Sequence, residues 1–129
     1  MIVYSIGHSN RKIDEFLKIL KKYNIRKIID VRRFPSSKKF PWFNKDNLEK
    51  ILRENNIKYV HFESLGGFRK EGYKNFAKTQ KFKSEVEKLI SILEDGSAIM
   101  CSEKYWFRCH RRFICKELEK RGLKVIHII

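Results

Sequence analysis

The sequence predicts an α/β fold, a three-layer α/β/α sandwich with a mainly parallel sheet of about five strands. Short β-rich runs alternate along the chain with longer segments whose apolar residues recur at helical spacing. Helical connections of that length favour parallel strands joined by right-handed crossovers. The chain has 129 residues, which suits one domain with its own core and leaves no room for a second. We therefore expect a single domain over residues 1–129.

The first half of the chain predicts three strands and two helices. The strands are rich in Ile, Val and aromatic residues, and the second contains the apolar run that is typical of a central parallel strand. The first helix follows from apolar spacing, and the second begins at a capping residue, Asn44 or Asp46. The strands are predicted over residues 2–6, 27–31 and 57–62, and the helices over residues 13–23 and 44–55.

The second half of the chain predicts a short helical segment near Tyr73, two long helices and two strands. Thr79 is the predicted N-cap of the first long helix, and Gly96 is predicted to end it. Gly122 is predicted to end the second one in the same way. The strands are predicted over residues 97–101 and 123–128, and the last helix over residues 109–121.

The charge of the chain is strongly positive. Thirty Lys and Arg residues against 15 Asp and Glu residues give a net charge of +15. Such a surplus attracts polyanions, so nucleic acid is the first expected partner and a phosphorylated small molecule the second. Lys-rich and Ile-rich chains also occur in heat-adapted organisms, and this explanation of the charge stays open.

The loop over residues 32–45 combines five basic residues with four aromatic ones and has no acidic residue. Such a mixture supplies phosphate contacts and stacking faces for nucleic-acid bases. The alternative is that the aromatic side chains fold back over the edge of the sheet. The two interpretations are equally compatible with the sequence.

No apolar run is long enough to span a bilayer, and the first strand has no basic leader before it. We therefore expect a cytoplasmic protein without a membrane partner. The three cysteines are an odd number and predict thiols, ligands or core residues rather than a disulfide framework.

Polar and reactive residues follow the predicted strands. Ligands of parallel α/β sheets bind outside the carboxyl ends of the strands, so these residues predict one pocket at that edge. An arginine-rich helix start at residues 108–112 favours a phosphate or carboxylate there and would lower the pKa of Cys109. A basic, solvated first turn is the alternative. The predicted pocket is lined by His8, Ser9, Arg32, Glu103, His110 and Arg111.

Roles follow from residue chemistry. His110 and Glu103 are the candidate acid/base residues, and His8 and Cys109 are further catalytic candidates. Asp30 precedes a strand end and is the better candidate for a structural ion pair. The residues predicted to bind the ligand are Ser9, Arg32, Arg108 and Arg111.

Cys101 and Cys109 permit a different chemistry. Cys101 occupies the position of the nucleophile in cysteine phosphatases, but the bulky loop after it is a poor oxyanion cradle, and a buried core thiol is the simpler interpretation. A zinc site could combine both cysteines with His110 and either His8 or Glu103. The spacing of the cysteines matches no zinc ribbon or finger, so we predict no metal and assign no cofactor.

A set of motifs in this order resembles the family catalogued as domain of unknown function 488. The motifs are Ile6-Gly7-His8-Ser9, Asp30-Val31-Arg32 with Pro35, Leu65-Gly66-Gly67, Cys101-Ser102-Glu103, Cys109-His110-Arg111 and His127-Ile128. The resemblance covers nearly the whole chain and implies a small α/β protein of bacteria and archaea with no established reaction. Carried over by position, the family's signature residues are His8, Ser9, Asp30, Arg32, Cys101, Glu103, Cys109, His110 and Arg111. Tyr105-Trp106-Phe107 replaces the family's Asp-Pro-like turn, which favours a stacking role for this loop.

Three functions are therefore compatible with the sequence. The first is an enzyme, or former enzyme, that binds a phosphate-bearing ligand and acts on a nucleotide or nucleic acid. The second is a nucleic-acid-binding module without catalysis, based on the charge and the 32–45 loop. The third is a thiolate or metal protein that uses Cys101 and Cys109.

Overall fold

The computed structural model describes residues 1–129 and contains five strands and five α-helices. The strands are β1 (Ile2–Gly7), β2 (Lys27–Asp30), β3 (Lys58–His61), β4 (Ser97–Cys101) and β5 (Lys124–Ile128). The helices are α1 (Ile13–Lys22), α2 (Lys45–Glu54), α3 (Tyr73–Phe76), α4 (Gln80–Ser91) and α5 (Arg111–Lys120). Single 3-10 turns lie at Pro41–Phe43, Glu63–Leu65 and Trp106–Arg108.

The five strands form one parallel sheet in the order β3-β2-β4-β1-β5. Strand β4 lies at the centre, and its Ile99 is in register with Ser5 of β1 on one side and with Ile29 of β2 on the other. The connections after β1 and β2 lead toward the β3 side of the sheet, and those after β3 and β4 lead toward the β5 side. The carboxyl ends of the three central strands therefore border the crevice where ligands of such sheets bind.

Helices cover both faces of the sheet, which confirms the α/β prediction. One hydrophobic cluster joins α1 and α2 to the face of β2 that carries Ile28, with Phe16 and Leu52 as buried members. The other cluster joins α4 and α5 to the opposite face, which carries Ile29, with Leu89 as a buried member. Neighbouring residues of a strand point to opposite faces, so the run of isoleucines in β2 fills both layers.

Two of the predicted helix boundaries are confirmed in detail. The hydroxyl of Thr79 accepts a hydrogen bond of 3.2 Å from the backbone N–H of Phe82 and caps α4. Gly122 follows the end of α5 with a φ of +90°, a conformation that favours glycine.

The prediction that Gly96 ends the preceding helix is wrong. Helix α4 ends at Ser91, and Gly96 instead forms the turn into β4 with a φ of +83°. A Cβ atom on Gly96 would lie 2.8 Å from the carbonyl oxygen of Asn24, so the turn also requires a residue without a side chain.

None of the helices combines the length and the apolar character that a membrane crossing requires.

Candidate functional site

A cavity of about 810 Å³ lies at the carboxyl edge of the three central strands. Residues that directly follow β1, β2 and β4 line it, together with the segment that leads into α5. It contains seven of the eight predicted site residues, namely His8, Ser9, Arg32, Glu103, Arg108, Cys109 and His110. The topology thus brings together side chains that lie up to about a hundred positions apart in the sequence.

Arg111 does not line this cavity and is fully buried. Its Nη2 donates to the backbone carbonyls of Glu103 at 3.0 Å and Lys104 at 3.4 Å, beneath the loop that follows β4. Its Nε and Nη1 have no hydrogen-bond partner. The expectation that Arg111 lines the pocket is therefore corrected, because the residue lies on the face of α5 that packs against the sheet.

Arg32 forms a buried ion pair with Asp30. Its Nη2 lies 2.7 Å from Asp30 Oδ2 and its Nε lies 2.9 Å from Oδ1, and both residues are at most 5% exposed. The hydroxyl of Tyr59 donates to the same carboxylate at 2.5 Å, and burial together with Asp30 raises the pKa of Tyr59 well above its usual value. Asp30 is thus structural, and it holds the Arg32 guanidinium at the base of the cavity.

His8 packs beside this ion pair in a neutral form. Burial, reinforced by the nearby Arg32 charge, lowers the pKa of His8 to about 4. Its ring stacks on Phe43 at a centroid distance of 4.3 Å. Nε2 accepts from Arg32 Nη1 at 3.3 Å, so the proton resides on Nδ1, which donates to the Ser9 carbonyl at 2.9 Å. Both ring nitrogens are therefore occupied, and His8 orients Arg32.

Cys109 and Cys101 form a close pair at the wall of the cavity. Their Sγ atoms lie 2.7 Å apart, and both cysteines are free. The hydrogen bond from Cys101 lowers the pKa of Cys109, and His110, whose Nδ1 is 3.4 Å from the sulfur, lowers it further. The same contact and burial raise the pKa of Cys101. The pair therefore consists of a thiolate at Cys109 and a thiol at Cys101 near neutral pH.

Backbone contacts fix the orientation of the residues around this thiolate. His110 Nε2 donates to the carbonyl of Val31 at 2.7 Å, which holds the ring against the end of β2. The backbone N–H of Arg111, at the start of α5, donates to Cys109 Sγ at 3.4 Å. Gly67 packs against the same imidazole, where an added Cβ atom would lie 3.2 Å from Nδ1.

Glu103 is the one carboxylate on the cavity wall, which also carries three arginines, Arg32, Arg33 and Arg108. One of its oxygens accepts from the backbone N–H of Tyr105 at 3.2 Å. The side chain is half-buried and reaches the same space as Cys109. A carboxylate in this position can exchange a proton with a bound ligand.

Two exposed phenylalanines flank the cavity. Phe34 is 63% and Phe68 81% exposed, and their ring centroids lie 5.7 Å apart. Phe68 has a φ of +58°, which is rare and strained for a bulky residue, and Arg33 Nη1 donates to its carbonyl at 3.0 Å. The backbone thus holds the Phe68 ring in solvent at an energetic cost.

The aromatic residues of the 32–45 loop divide between the two interpretations: most fold back onto the core, and one is exposed and free to stack. Phe43 is fully buried and packs with α1 and α2, and Trp42 and Phe40 are half-buried against the same cluster. Phe34 alone of the four is exposed. Its stacking partner, Phe68, comes from a different loop.

A family model described as domain of unknown function DUF488 matches residues 12–118. The chain belongs to the DUF488 family. No curated protein and no solved structure matches it. The matched range includes every residue on the wall of the cavity except His8, Ser9 and Asn10. Most of the cavity wall therefore lies within the DUF488 segment.

No group of three or more His, Cys, Asp or Glu side chains in this DUF488 protein is arranged to hold a metal ion. The close contacts of Cys101 are to the other cysteine and, at 3.7 Å, to the carbonyl of Glu103.

Sequence reasoning misses two features of the DUF488 cavity. Arg33 and Phe68 are not among the predicted site residues, although both line it. Arg33 directly follows Arg32, and Phe68 follows two consecutive glycines in the loop after β3. A large apolar residue beside glycines in a polar loop is a signal that could have identified Phe68.

The neutral state of His8 predicts a specific pH dependence of stability. Its pKa is about 4 in the folded protein and 6.5 for an unperturbed histidine, so the unfolded chain binds more protons between these values. Stability from this group is present above pH 6.5 and is lost as the pH falls toward 4. Between pH 7 and pH 4.5 we expect the unfolding free energy of wild type to fall by about 2.5 kcal/mol more than that of His8→Gln.

Urea denaturation of both proteins at the two pH values measures this difference. All other titrating groups are shared, so their contributions cancel. An identical pH dependence in the two proteins would show that the pKa of His8 is the same in the folded and the unfolded chain.

Proposed function

We propose that the cavity binds a phosphate-bearing nucleotide or nucleic-acid strand and that the protein acts on this ligand as an enzyme. One observation carries the proposal: unpaired guanidinium groups and an exposed aromatic pair line the same cavity as the Cys109 thiolate. Guanidinium groups bind phosphates, aromatic faces stack bases, and a thiolate or carboxylate beside them supplies the chemistry.

Arg33 and Arg108 are the arginines available to an anion. The charge of Arg32 is already compensated by Asp30. Arg33 donates only to the backbone carbonyls of Gly67 and Phe68, and Arg108 lies 5.3 Å from the Tyr105 ring centroid without a carboxylate partner. Both charges therefore remain unneutralised at the cavity, where a phosphate would compensate them.

The Phe34–Phe68 pair supports a ligand with a base. Stacking of a base on an aromatic side chain contributes about 1–3 kcal/mol and does not depend strongly on sequence. The pair adjoins Arg33, whose guanidinium lies 5.8 Å from the Phe34 ring centroid. A base on the rings and a phosphate on the guanidinium are thus compatible with one nucleotide.

Two groups on the wall are suited to act on such a ligand. Glu103, as the one carboxylate there, is assigned proton transfer. Cys109, paired with His110, is assigned the nucleophile's position. His8 is assigned a positioning role, because both of its nitrogens are engaged.

Fluorescence anisotropy with labelled single- and double-stranded DNA and RNA tests the binding. We expect Arg33→Ala/Arg108→Ala to weaken binding at least about tenfold, since each charged hydrogen bond contributes about 1.5–3 kcal/mol. The matched control is Arg26→Ala/Arg53→Ala. It removes two exposed arginines near the amino-terminal ends of the strands, away from the cavity. This control should bind nearly as tightly as wild type at both of two salt concentrations.

Equal losses in the two double variants would place the polyanion on the outer surface and contradict the proposal. The net charge of +15 favours the alternative of a binding module without catalysis. That alternative predicts binding that survives Glu103→Gln and Cys109→Ser, with no change in the bound nucleotide or strand.

A further inference from the structure

We infer that Cys109 and Cys101 are a redox-active dithiol that exchanges with small disulfides carrying anionic groups. The inference shares the cationic cavity with the proposed function and does not require a nucleotide. It rests on the position of the two sulfurs, on the cavity that exposes one of them, and on a buried arginine without an acidic partner.

The two cysteines differ in accessibility. Cys109 lies on the cavity wall and is half-buried, whereas Cys101, at the end of β4, is 1% exposed. Their sulfurs are 2.7 Å apart, and a disulfide bond is about 2.03–2.05 Å long. A ligand in the cavity can therefore reach Cys109 alone, and Cys101 is within range to displace whatever becomes attached to it.

The charges around the pair suit this order of events. Cys109 is the thiolate, stabilised by the Cys101 thiol, His110 and the backbone N–H of Arg111. Once Cys109 is bound in a mixed disulfide, that contact no longer favours the thiol form of Cys101. Burial still raises the pKa of Cys101, and the Arg111 guanidinium opposes this effect and lowers it, which helps the thiolate that the second displacement needs. This gives the buried Arg111, with unpartnered Nε and Nη1, a positioning role.

The reaction proceeds by two displacements. The Cys109 thiolate attacks one sulfur of the disulfide, so a Cys109–ligand disulfide forms and the first ligand thiolate leaves and takes up the proton of Cys101. The Cys101 thiolate then attacks the Cys109 sulfur, forms the Cys101–Cys109 disulfide and releases the second ligand thiolate. The protein dithiol loses two electrons, and the small disulfide gains them.

The cavity indicates the class of disulfide. Its volume of about 810 Å³ accommodates a molecule of the size of a short peptide or a nucleotide. Arg33 and Arg108, both without a carboxylate partner, favour carboxylate or phosphate groups on that molecule.

The experiment treats the reduced protein with oxidised glutathione, which carries carboxylates, and with cystamine, a cationic disulfide. Released thiol is measured with time, and mass spectrometry identifies the linked cysteines after the remaining thiols are alkylated in denaturant. We expect wild type to release two thiols per chain and to retain only Cys115 for alkylation. Cys101→Ser should stop after one thiol with glutathione on Cys109, and Cys109→Ser should react at least about tenfold more slowly.

Cys115→Ser is the matched control and should behave as wild type. The rate with each disulfide is compared with the rate of a free small thiol. On this scale wild type should react faster with oxidised glutathione than with cystamine. Arg33→Ala/Arg108→Ala should lose this preference, and Arg26→Ala/Arg53→Ala should keep it. Absence of a Cys101–Cys109 bond in folded wild type, or an unchanged rate in Cys109→Ser, would overturn the inference. Disulfide formation without oligonucleotide binding would instead contradict the nucleic-acid part of the proposed function and leave the dithiol inference standing.

Discussion

Asp30→Asn is expected to lower the unfolding free energy by about 3–5 kcal/mol, because it leaves a buried guanidinium without its counter-charge. Asp30 is fully buried and accepts hydrogen bonds from Arg32 and from Tyr59. The asparagine keeps the shape of the side chain and one oxygen but loses the charge. Urea denaturation at pH 7, with the wild-type protein as reference, measures the difference.

Two controls separate the lost charge from other effects. Tyr59→Phe removes only the tyrosine hydrogen bond to the carboxylate and should cost about 1 kcal/mol. Asp46→Asn makes the same chemical change at an exposed position of α2 and should stay within about 0.5 kcal/mol of wild type. A loss in Asp30→Asn no greater than that in Tyr59→Phe would mean that Arg32 finds solvent or another partner.

Alkylation of Cys109 by iodoacetamide is expected to be nearly independent of pH between 6 and 8. An ordinary thiol has a pKa of about 8.5, so its alkylation rate rises about tenfold per pH unit in this range. The lowered pKa of Cys109 keeps it in the thiolate form at pH 6, so a further rise in pH adds no thiolate. Mass spectrometry of the labelled protein at several times gives the rate constant at each pH.

The other cysteines provide the comparison. Burial raises the pKa of Cys115 to about 12, and this residue should remain unlabelled in the same sample. Cys101→Ala removes the hydrogen bond that lowers the pKa of Cys109 most. The alkylation rate of Cys109 in this variant should therefore fall at pH 6 and stay at the wild-type value at pH 9. A Cys109 rate in wild type that increases tenfold per pH unit would contradict the thiolate assignment.

The strands are the most predictable part of this fold. Strand β4 has the predicted bounds, residues 97–101, and β2 is one residue shorter than predicted. Each strand is a short apolar run between turn residues, so local composition is sufficient to locate it. The pocket is predictable for a related reason, since a parallel sheet brings the residues after its central strands to one edge.

The direction of side chains and the contacts between distant loops are harder to predict from the sequence. The start of a helix suggests a ligand contact for Arg111, yet the residue lies on the same helical face as the buried Ile114 and Leu118. Their spacing of three and seven residues predicts that face, so the burial of Arg111 is present in the sequence pattern. The Cys101–Cys109 contact cannot be predicted from the sequence pattern, because it depends on the path of the loop between the two residues.

The order of the strands has a consequence for the way the chain folds. Strands β1 and β2 come first in the sequence, but they are not neighbours, and each pairs with β4 in the centre of the sheet. The pairing of Tyr4 and of Ile28 with Ala98 closes very long loops, and contacts of this kind slow folding. The first three strands therefore cannot form the native sheet by themselves, and residues 97–101 complete the centre of the sheet. Because β5 adds only an edge beside β1, its pairing is expected to follow this step.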